Sequence, residues 1–151
     1  MEHQLVIFDL EQEKYGVDIA TVESIIKMQE ITQLPYTPDF MEGVTKLRGA
    51  VIPVIDLRKR FDLPVQAPTR DTRIVISNLN NAKVGLVVDA VTQVIRIADE
   101  AIEPPPQMSL SSNSAFIKGI AKVADTLIIL LDLSRVLSLE EKEALSSAVS
   151  Q

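Results

Sequence analysis

The chain has 151 residues, enough for one ordinary domain or for two very small domains that share a core. It contains no cysteine and one histidine, which excludes a disulfide framework, thiolate chemistry and the usual zinc ligand sets. A formal net charge of −6 argues against a nucleic-acid partner, because such binding depends on many lysine and arginine contacts with phosphates. The sequence shows no apolar run of membrane-spanning length and begins without a secretory pattern, so we expect a cytoplasmic protein with no direct membrane insertion.

Six short runs rich in valine, isoleucine and leucine predict β-strands. In chain order they are LVIF (5–8), YGVDI (15–19), VIPVIDL (51–57), RIVIS (73–77), VGLVV (84–88) and LIILLDL (127–133). They recur too closely for parallel strands joined by helices, and Gly16 and Gly85 fall where glycine usually marks a bulge or a bend. This pattern is typical of small, strongly bent antiparallel barrels. A capping box at Ser138 and Glu141 predicts a C-terminal helix over residues 138–150.

The second half of the chain resembles the first. Residues 5–26 align with residues 74–95, 69 positions later, and seven of the aligned pairs are identical. Residues 43–61 align with residues 119–137, 76 positions later, with five identical pairs that include Asp56 with Asp132. Two similar halves packed together are therefore predicted. Because Asp56 and Asp132 recur at equivalent strand ends, we expect both to serve as turn or cap residues rather than as a catalytic pair.

The sequence favours a binding module over an enzyme. It contains no Ser-His-Asp arrangement and no phosphate-cradling glycine loop, so we expect no catalytic residue, no metal and no cofactor. Arg48 has Ala124 as its counterpart, so the scaffold does not require it, and its guanidinium suits carboxylates; the alternative is a structural salt bridge. Val22 has the identical Val91 as its counterpart, which favours a core role, with a groove between the halves as the alternative.

Three blocks of the sequence, in this order and spacing, resemble the CheW family of bacterial chemotaxis coupling proteins. They are FDLEQEKYGVDIATVESI (8–25), FMEGVTKLRGAVIPVIDLRKRF (40–61) and VGLVVDAV (84–91), and the resemblance extends over residues 5–137. The most specific pattern is Gly-Val-x-x-Leu-Arg-Gly-x-x-x-Pro-Val-x-Asp-Leu at residues 43–57. The resemblance implies one CheW-like domain over residues 1–151. It would contain two SH3-like five-stranded antiparallel β-barrels, over residues 5–71 and 72–137, and then the C-terminal helix.

The resemblance also implies an adaptor that couples transmembrane chemoreceptors to the histidine kinase CheA in chemotaxis signal transduction, at membrane-associated receptor arrays. The cytoplasmic tip of the receptor would dock in the groove between the barrels. The positions that match the family's receptor-binding residues are Val22, Gly43, Arg48 and Val87. The positions that match residues used against the regulatory domain of CheA are Ile19, Ser24 and Ile31.

Two residues depart from the family pattern. Ser24 stands where the family often has Glu in a Val-x-Glu-Ile pattern, and the acid of this chain is at Glu23 instead. Lys46 replaces the usual Asn before Leu-Arg-Gly. Both departures concern kinase contacts and leave the barrel framework unchanged. The alternative to a separate adaptor is the same module within a larger CheA or CheV protein.

Overall fold

The computed structural model describes residues 2–79, 82–104 and 116–135. These residues form eleven β-strands, one short helix and three short 3₁₀ turns. The strands are β1 (Glu2–Leu10), β2 (Glu13–Asp18), β3 (Val22–Lys27), β4 (Met41–Leu47), β5 (Ala50–Asp56), β6 (Arg73–Leu79), β7 (Ala82–Val88), β8 (Ala90–Ala98), β9 (Ile102–Glu103), β10 (Ile117–Val123) and β11 (Thr126–Leu131). The helix is α1 (Leu57–Arg60), and the 3₁₀ turns are Ile19–Thr21, Asp99–Ala101 and Leu133–Arg135. The helix predicted over residues 138–150 lies outside the described residues.

The six predicted runs fall in β1, β2, β5, β6, β7 and β11. A tight turn closes the first hairpin. Glu11 and Gln12 connect β1 to β2 with φ angles of 48° and 69°. Positive φ at both central residues matches the right-handed twist of paired strands, so two residues are enough to reverse the chain.

Each of the two sheets takes strands from both halves of the sequence. The five-stranded sheet has the order β3-β6-β7-β5-β4, and the six-stranded sheet has the order β8-β1-β2-β11-β10-β9. By the sequence repeat, β1 and β2 correspond to β6 and β7, β3 to β8, and β4 and β5 to β10 and β11. With these correspondences the two strand orders agree, apart from the additional β9. The first hairpin of each half therefore lies in the sheet that the rest of the other half forms. The two-barrel β fold is confirmed. The assignment of one barrel to residues 5–71 and the other to 72–137 does not describe the sheets, because equivalent hairpins carry the same apolar pattern and either can complete either barrel.

The exchanged hairpins join their sheets by parallel pairing, β7 against β5 and β2 against β11, whereas the other strand pairs are antiparallel. Gly16 and Gly85 lie in these joins at equivalent registers. A Cβ at Gly85 would lie 2.8 Å from a methyl of Ile74, and one at Gly16 would lie 3.1 Å from a methyl of Ile7. The predicted bulge at these glycines is wrong, because close approach to the neighbouring side chain explains them. Register shifts occur elsewhere, including beside Gly43.

Three apolar cores hold the strands together. The largest lies between the sheets and draws on both, with Phe8 and Leu10 from β1 and Leu86 and Val88 from β7. A smaller core fills each barrel. The five-stranded barrel encloses Ile52, Ile74 and Ile76, and the six-stranded sheet encloses Leu5, Ile7, Ile128 and Leu130. The interior residues of one barrel have apolar counterparts in the other, so the duplication preserves both barrel cores.

Candidate functional site

The two repeated aspartates cap the turns that follow β5 and β11. The Asp56 carboxylate accepts from the Arg58 N–H at 2.9 Å, and the Asp132 carboxylate accepts from the Ser134 N–H at 3.0 Å. Burial raises the pKa of Asp56, and the hydrogen bond from the Arg58 N–H opposes this rise in part. The predicted structural role of both aspartates is confirmed.

Arg48 lies at the tip of the β4–β5 hairpin. It forms a two-residue turn with Gly49, with φ angles of 52° and 84°, and its counterpart Ala124 has a φ of 54°. The side chain of Arg48 is exposed, and within residues 2–79, 82–104 and 116–135 it forms no ion pair. The structural salt bridge considered from the sequence therefore has no partner among these residues. The guanidinium is open to a binding partner.

The other receptor-side positions differ in their surroundings. Val22 is half-buried at the edge of the core between the sheets, as is its counterpart Val91. Gly43 is buried in β4 with a φ of 144°, and a Cβ there would lie 2.1 Å from the carbonyl oxygen of Thr32. Val87 is half-buried in β7 and packs against the interior core of the five-stranded barrel. Gly43 is thus explained by the backbone that it contacts, without a partner.

All four receptor-side residues belong to the five-stranded sheet, but the sheet spreads them along its length. Arg48 lies two residues before Ala50, the first residue of β5, and Val87 pairs with Asp56, the last residue of β5. Ala50 and Asp56 are six residues apart along an extended strand, a distance of about 20 Å. Val22 also faces the core between the sheets, whereas Val87 faces the barrel interior. An elongated partner fits this arrangement better than a compact ligand.

The kinase-side positions flank β3, which is an end strand of the five-stranded sheet. Ile19 is half-buried in the turn before β3 and packs against the core between the sheets. Ser24 is half-buried within β3, and its hydroxyl is buried without a hydrogen-bond partner among the described residues. Ile31 is half-buried just before Thr32, whose backbone pairs with Val44 of β4. Ile19 and Ser24 therefore lie at β3, whereas Ile31 lies beside β4, at the other end of the strand order.

The polar cluster around Arg58 was not predicted as a site. Its guanidinium donates from Nε and Nη2 to the two carboxylate oxygens of Asp89 at 2.8 and 2.6 Å. It also donates to the Glu11 carboxylate at 2.5 Å, to the Pro64 carbonyl at 2.7 Å and to the Gln66 side chain at 2.6 Å. These contacts connect the first hairpin, α1, the loop after α1 and the β7–β8 junction. The cluster therefore holds the two sheets in a fixed relation.

The charges of this cluster stabilise each other. The hydrogen bond to Asp89 is the main reason that the pKa of Arg58 lies above its ordinary value. Burial alone would raise the pKa of Asp89, but hydrogen bonds from Arg58 and from the Glu11 N–H reverse this effect, and the pKa is lowered. A sequence signal for the cluster existed, because Ser134 is the counterpart of Arg58. Arg48 and Arg58 are thus both arginines of the first half that have an uncharged counterpart in the second half.

A cavity of about 360 Å³ lies beside this cluster. Its lining includes Asp56, Lys59, Gln66, Thr69 and Val87. The Lys59 ammonium pairs with the Glu42 carboxylate at 2.7 Å, so this cation of the cavity lining already has a partner. Among the residues described by the structure, no group of acidic and histidine side chains could hold a metal ion. In the same ranges, none of the helices has the length and apolar character needed to cross a membrane.

Comparison with known proteins assigns the family. The family model for the CheW-like domain matches residues 4–141. The chain belongs to the CheW-like domain family. It is 35% identical over 138 residues to the chemotaxis protein CheW of Klebsiella aerogenes, covering 91% of this chain and 83% of that protein. It is also 35% identical over 146 residues to the CheW of Bacillus subtilis, covering 97% of this chain and 92% of that protein.

A solved structure extends the comparison to the fold. The scaffolding protein TtCheW from Thermoanaerobacter tengcongensis is 43% identical, with a TM-score of 0.87 over 95% of this chain and 97% of that one. The CheW family and the SH3-like two-barrel fold inferred from the sequence are thereby confirmed. The individual receptor-side and kinase-side positions remain predictions.

Proposed function

We propose that the protein is a non-catalytic adaptor that couples transmembrane chemoreceptors to the histidine kinase CheA, on the cytoplasmic side of receptor arrays. The similarity of almost the whole chain to the scaffolding protein TtCheW carries this proposal. The chain is similar to the two CheW relatives over 83% and 92% of their length, which supports the adaptor role.

The receptor side of the adaptor centres on Arg48. A receptor tip is a helical surface, and recognition of a helix needs apolar walls with few directional contacts. Arg48 supplies the directional contact, because its exposed guanidinium can hold a carboxylate in two parallel hydrogen bonds. Val22 supplies an apolar edge, Val87 a second and more recessed one, and Gly43 holds the hairpin in place.

The kinase side centres on β3 and its flanks. Ile19 and Ile31 are half-buried, so each can offer part of its side chain to a partner while the rest packs on the barrel. The Ser24 hydroxyl is buried, so Ser24 would contribute through the edge of β3. An end strand is a natural docking edge, since its outer hydrogen-bonding groups are not all used by the sheet. The regulatory domain of CheA would bind along this strand.

The test is a reconstituted complex of the full chain with the regulatory domain of CheA and a receptor hairpin fragment. The variant Ile31→Asp should lose CheA binding and keep receptor binding, since an unpaired charge in an interface costs several kcal/mol. Leu127→Asp is the matched control, because Leu127 is 57% exposed on β11 of the other sheet. A thermal melt establishes that both variants fold.

Two results would contradict the proposal at different levels. Unchanged CheA affinity in a folded Ile31→Asp variant would show that the kinase surface is elsewhere on the chain. Failure of the unmodified chain to bind either partner would overturn the adaptor function itself.

A further inference from the structure

The outer edge of β4 is supported by the chain segment that leads from β3 to β4. These two strands are the ends of the five-stranded sheet, so no further strand of that sheet covers the outer backbone groups of β4. Val44 exchanges two hydrogen bonds with the backbone of Thr32, at 2.8 and 2.9 Å. Two residues closer to the Arg48 turn, the Lys46 carbonyl points to the same side, because backbone groups alternate between the two edges of a strand. The Lys46 carbonyl needs a different donor.

The side chain of Gln29 supplies this donor. Its Nε2 donates to the Lys46 carbonyl at 2.7 Å and to the Thr45 hydroxyl oxygen at 2.7 Å. The Thr45 hydroxyl donates in turn to the Glu30 carbonyl at 2.8 Å. A carbonyl oxygen can only accept, so the orientation of the Gln29 amide and the direction of all three bonds are fixed. The bonds connect the end of β4 to the segment that follows β3.

Thr45 brings to this network a buried hydroxyl that the barrel does not require. It is 3% exposed, and a buried hydroxyl costs stability unless it is hydrogen-bonded. Its counterpart in the second half is Ala121, which is fully buried and has no hydroxyl. There the outer edge of β10 is covered by the backbone of β9, which pairs with Ile120 and Ala121. The first half therefore adds a contact one residue closer to its turn, at Lys46, and that turn carries Arg48.

The Arg48 turn stands clear of its surroundings. A Cβ added at Gly49 would have no atom within 4 Å, so this part of the turn projects into solvent. Arg48 has a left-handed φ of 52°, and its side chain leaves the backbone in a direction set by the turn. The place of the guanidinium therefore depends on how β4 is held below the turn. The bond from Gln29 acts there, two residues before Arg48.

We propose that Gln29 and Thr45 are positioning residues for receptor binding. They hold β4 beside the segment that follows β3, so that Arg48 presents its guanidinium at a fixed place to a carboxylate of the receptor tip. Groups that are ordered before binding lose less conformational entropy in the complex, which raises affinity. Neither positioning residue needs to contact the receptor. This inference rests on the adaptor function proposed above, because it explains how the receptor-side arginine is held.

The decisive variant is Gln29→Ala in the full chain. Gln29 is exposed, so loss of its side chain should leave the fold intact while it removes the donor to Lys46. We expect the receptor hairpin fragment to bind roughly fivefold more weakly, the equivalent of one hydrogen bond. Gln29→Glu should behave in the same way, because a carboxylate has no N–H to donate. Gln33→Ala is the matched control, since Gln33 is an exposed glutamine of the same segment whose side chain takes no part in these bonds.

A double-mutant cycle separates positioning from a general loss of structure. If Gln29 acts through Arg48, Gln29→Ala should weaken receptor binding in the unmodified chain and have no further effect in Arg48→Ala. Additive losses would show that Gln29 acts independently of Arg48 and would overturn the inference. Thr45→Val should give the same result as Gln29→Ala, whereas Thr45→Ser, which keeps the hydroxyl, should bind the receptor like the unmodified chain. Thermal melts of all variants accompany the binding measurements.

Failure of the inference can be told apart from failure of the adaptor function. Normal receptor binding by Gln29→Ala and Gln29→Glu overturns the inference and leaves the adaptor function standing. Normal receptor binding by Arg48→Ala does the same, because there would be no contact for Gln29 to position. If the unmodified chain binds neither the receptor fragment nor CheA, the adaptor function is wrong and the inference is overturned with it.

Discussion

The β4–β5 and β10–β11 hairpins have the same construction but present different chemistry at their tips. Each has a glycine at a register shift, Gly43 in one and Gly119 in the other. Each turns through a residue with a left-handed φ, Arg48 in one and Ala124 in the other. The shared positions set the course of the backbone, and the differing side chain is one that the backbone does not need. The duplication thus separates residues that build the barrel from residues that are free to bind.

The segments after these hairpins show the second difference. Both carry a capping aspartate, Asp56 or Asp132, whose N–H donates to a phenylalanine carbonyl at 2.9 or 2.8 Å. Two residues later the first half has Arg58, which joins both sheets, whereas the second half has Ser134. Here the difference between the halves concerns stability.

Removal of the Arg58 side chain should have the largest effect. Arg58→Ala should lower the free energy of unfolding by about 3–5 kcal/mol, because it leaves the Asp89 carboxylate without its partner. Ser134→Ala, at the equivalent position, should cost within about 1 kcal/mol. Urea unfolding of the two variants measures the difference. Equal losses would mean that the two halves are stabilised in the same way at this point.

The glycine at the register shift should matter more in the first half. Gly43→Ala should cost about 3 kcal/mol, since it adds a backbone clash to a φ that alanine rarely adopts. Gly119→Ala should cost less, about 1–2 kcal/mol, because its φ is not left-handed and its Cβ would lie 2.9 Å from an Ile102 methyl and 3.0 Å from the Glu103 carbonyl oxygen. Thermal melts rank the two. A receptor-coupling defect in Gly43→Ala would then follow from altered folding, and a fully stable Gly43→Ala would restore a direct binding role.

The Asp89 carboxylate should make the stability of the protein sensitive to acid. The folded pKa of Asp89 lies below its ordinary value of 3.8, so this carboxylate stabilises the protein above that value and loses its effect as the pH falls through the lowered pKa. Unfolding of the unmodified chain should therefore become easier below pH 4. Asp89→Asn, less stable at neutral pH, should show a shallower acid dependence. Parallel acid limbs in the two proteins would assign the loss to other carboxylates.

The smallest effect on stability should come from Arg48. Ala124 already adopts the left-handed turn, so Arg48→Ala should change the free energy of unfolding by no more than about 0.5 kcal/mol. The same variant should reduce receptor coupling and kinase activation and spare direct CheA binding. Arg48→Lys should restore coupling in part, because lysine keeps the charge without the planar fork. A reconstituted receptor–kinase assay decides the outcome, with Ala124→Arg as the control. Full activation by Arg48→Ala would remove this residue from the receptor surface.

The strands that the sequence predicted are those with a strong apolar run. β3 was not predicted, because Glu23, Ser24 and Lys27 interrupt its apolar residues. β8 has the same difficulty, since Thr92, Gln93 and Arg96 interrupt its apolar residues. The pairing of strands across halves was not predictable either. Equivalent strands present nearly identical apolar faces, so the sequence does not distinguish a hairpin that stays in its own half from one that is exchanged.

The binding residues were predictable only where the two halves differ. Arg48 stood out against Ala124, and the structure confirms that its side chain is exposed. Arg58 against Ser134 carried the same signal, but its main partner Asp89 is 31 positions away, so the sequence does not show the cluster. Lys27 and Arg73 are 46 positions apart and become neighbours only through the β3–β6 register. No local pattern contains that information.

The exchange of hairpins determines the order in which the protein can be built. The strands of the five-stranded sheet have all been synthesised once residue 88 is made. The first hairpin must wait, because Leu5 pairs with Ile95 and Lys14 lies beside Ile128. Pairings so distant along the chain form slowly, since a long loop must close before they contribute any stability. The segment that leaves the ribosome first is thus among the last to find its place, and until then its apolar side chains are exposed to other chains in the cell.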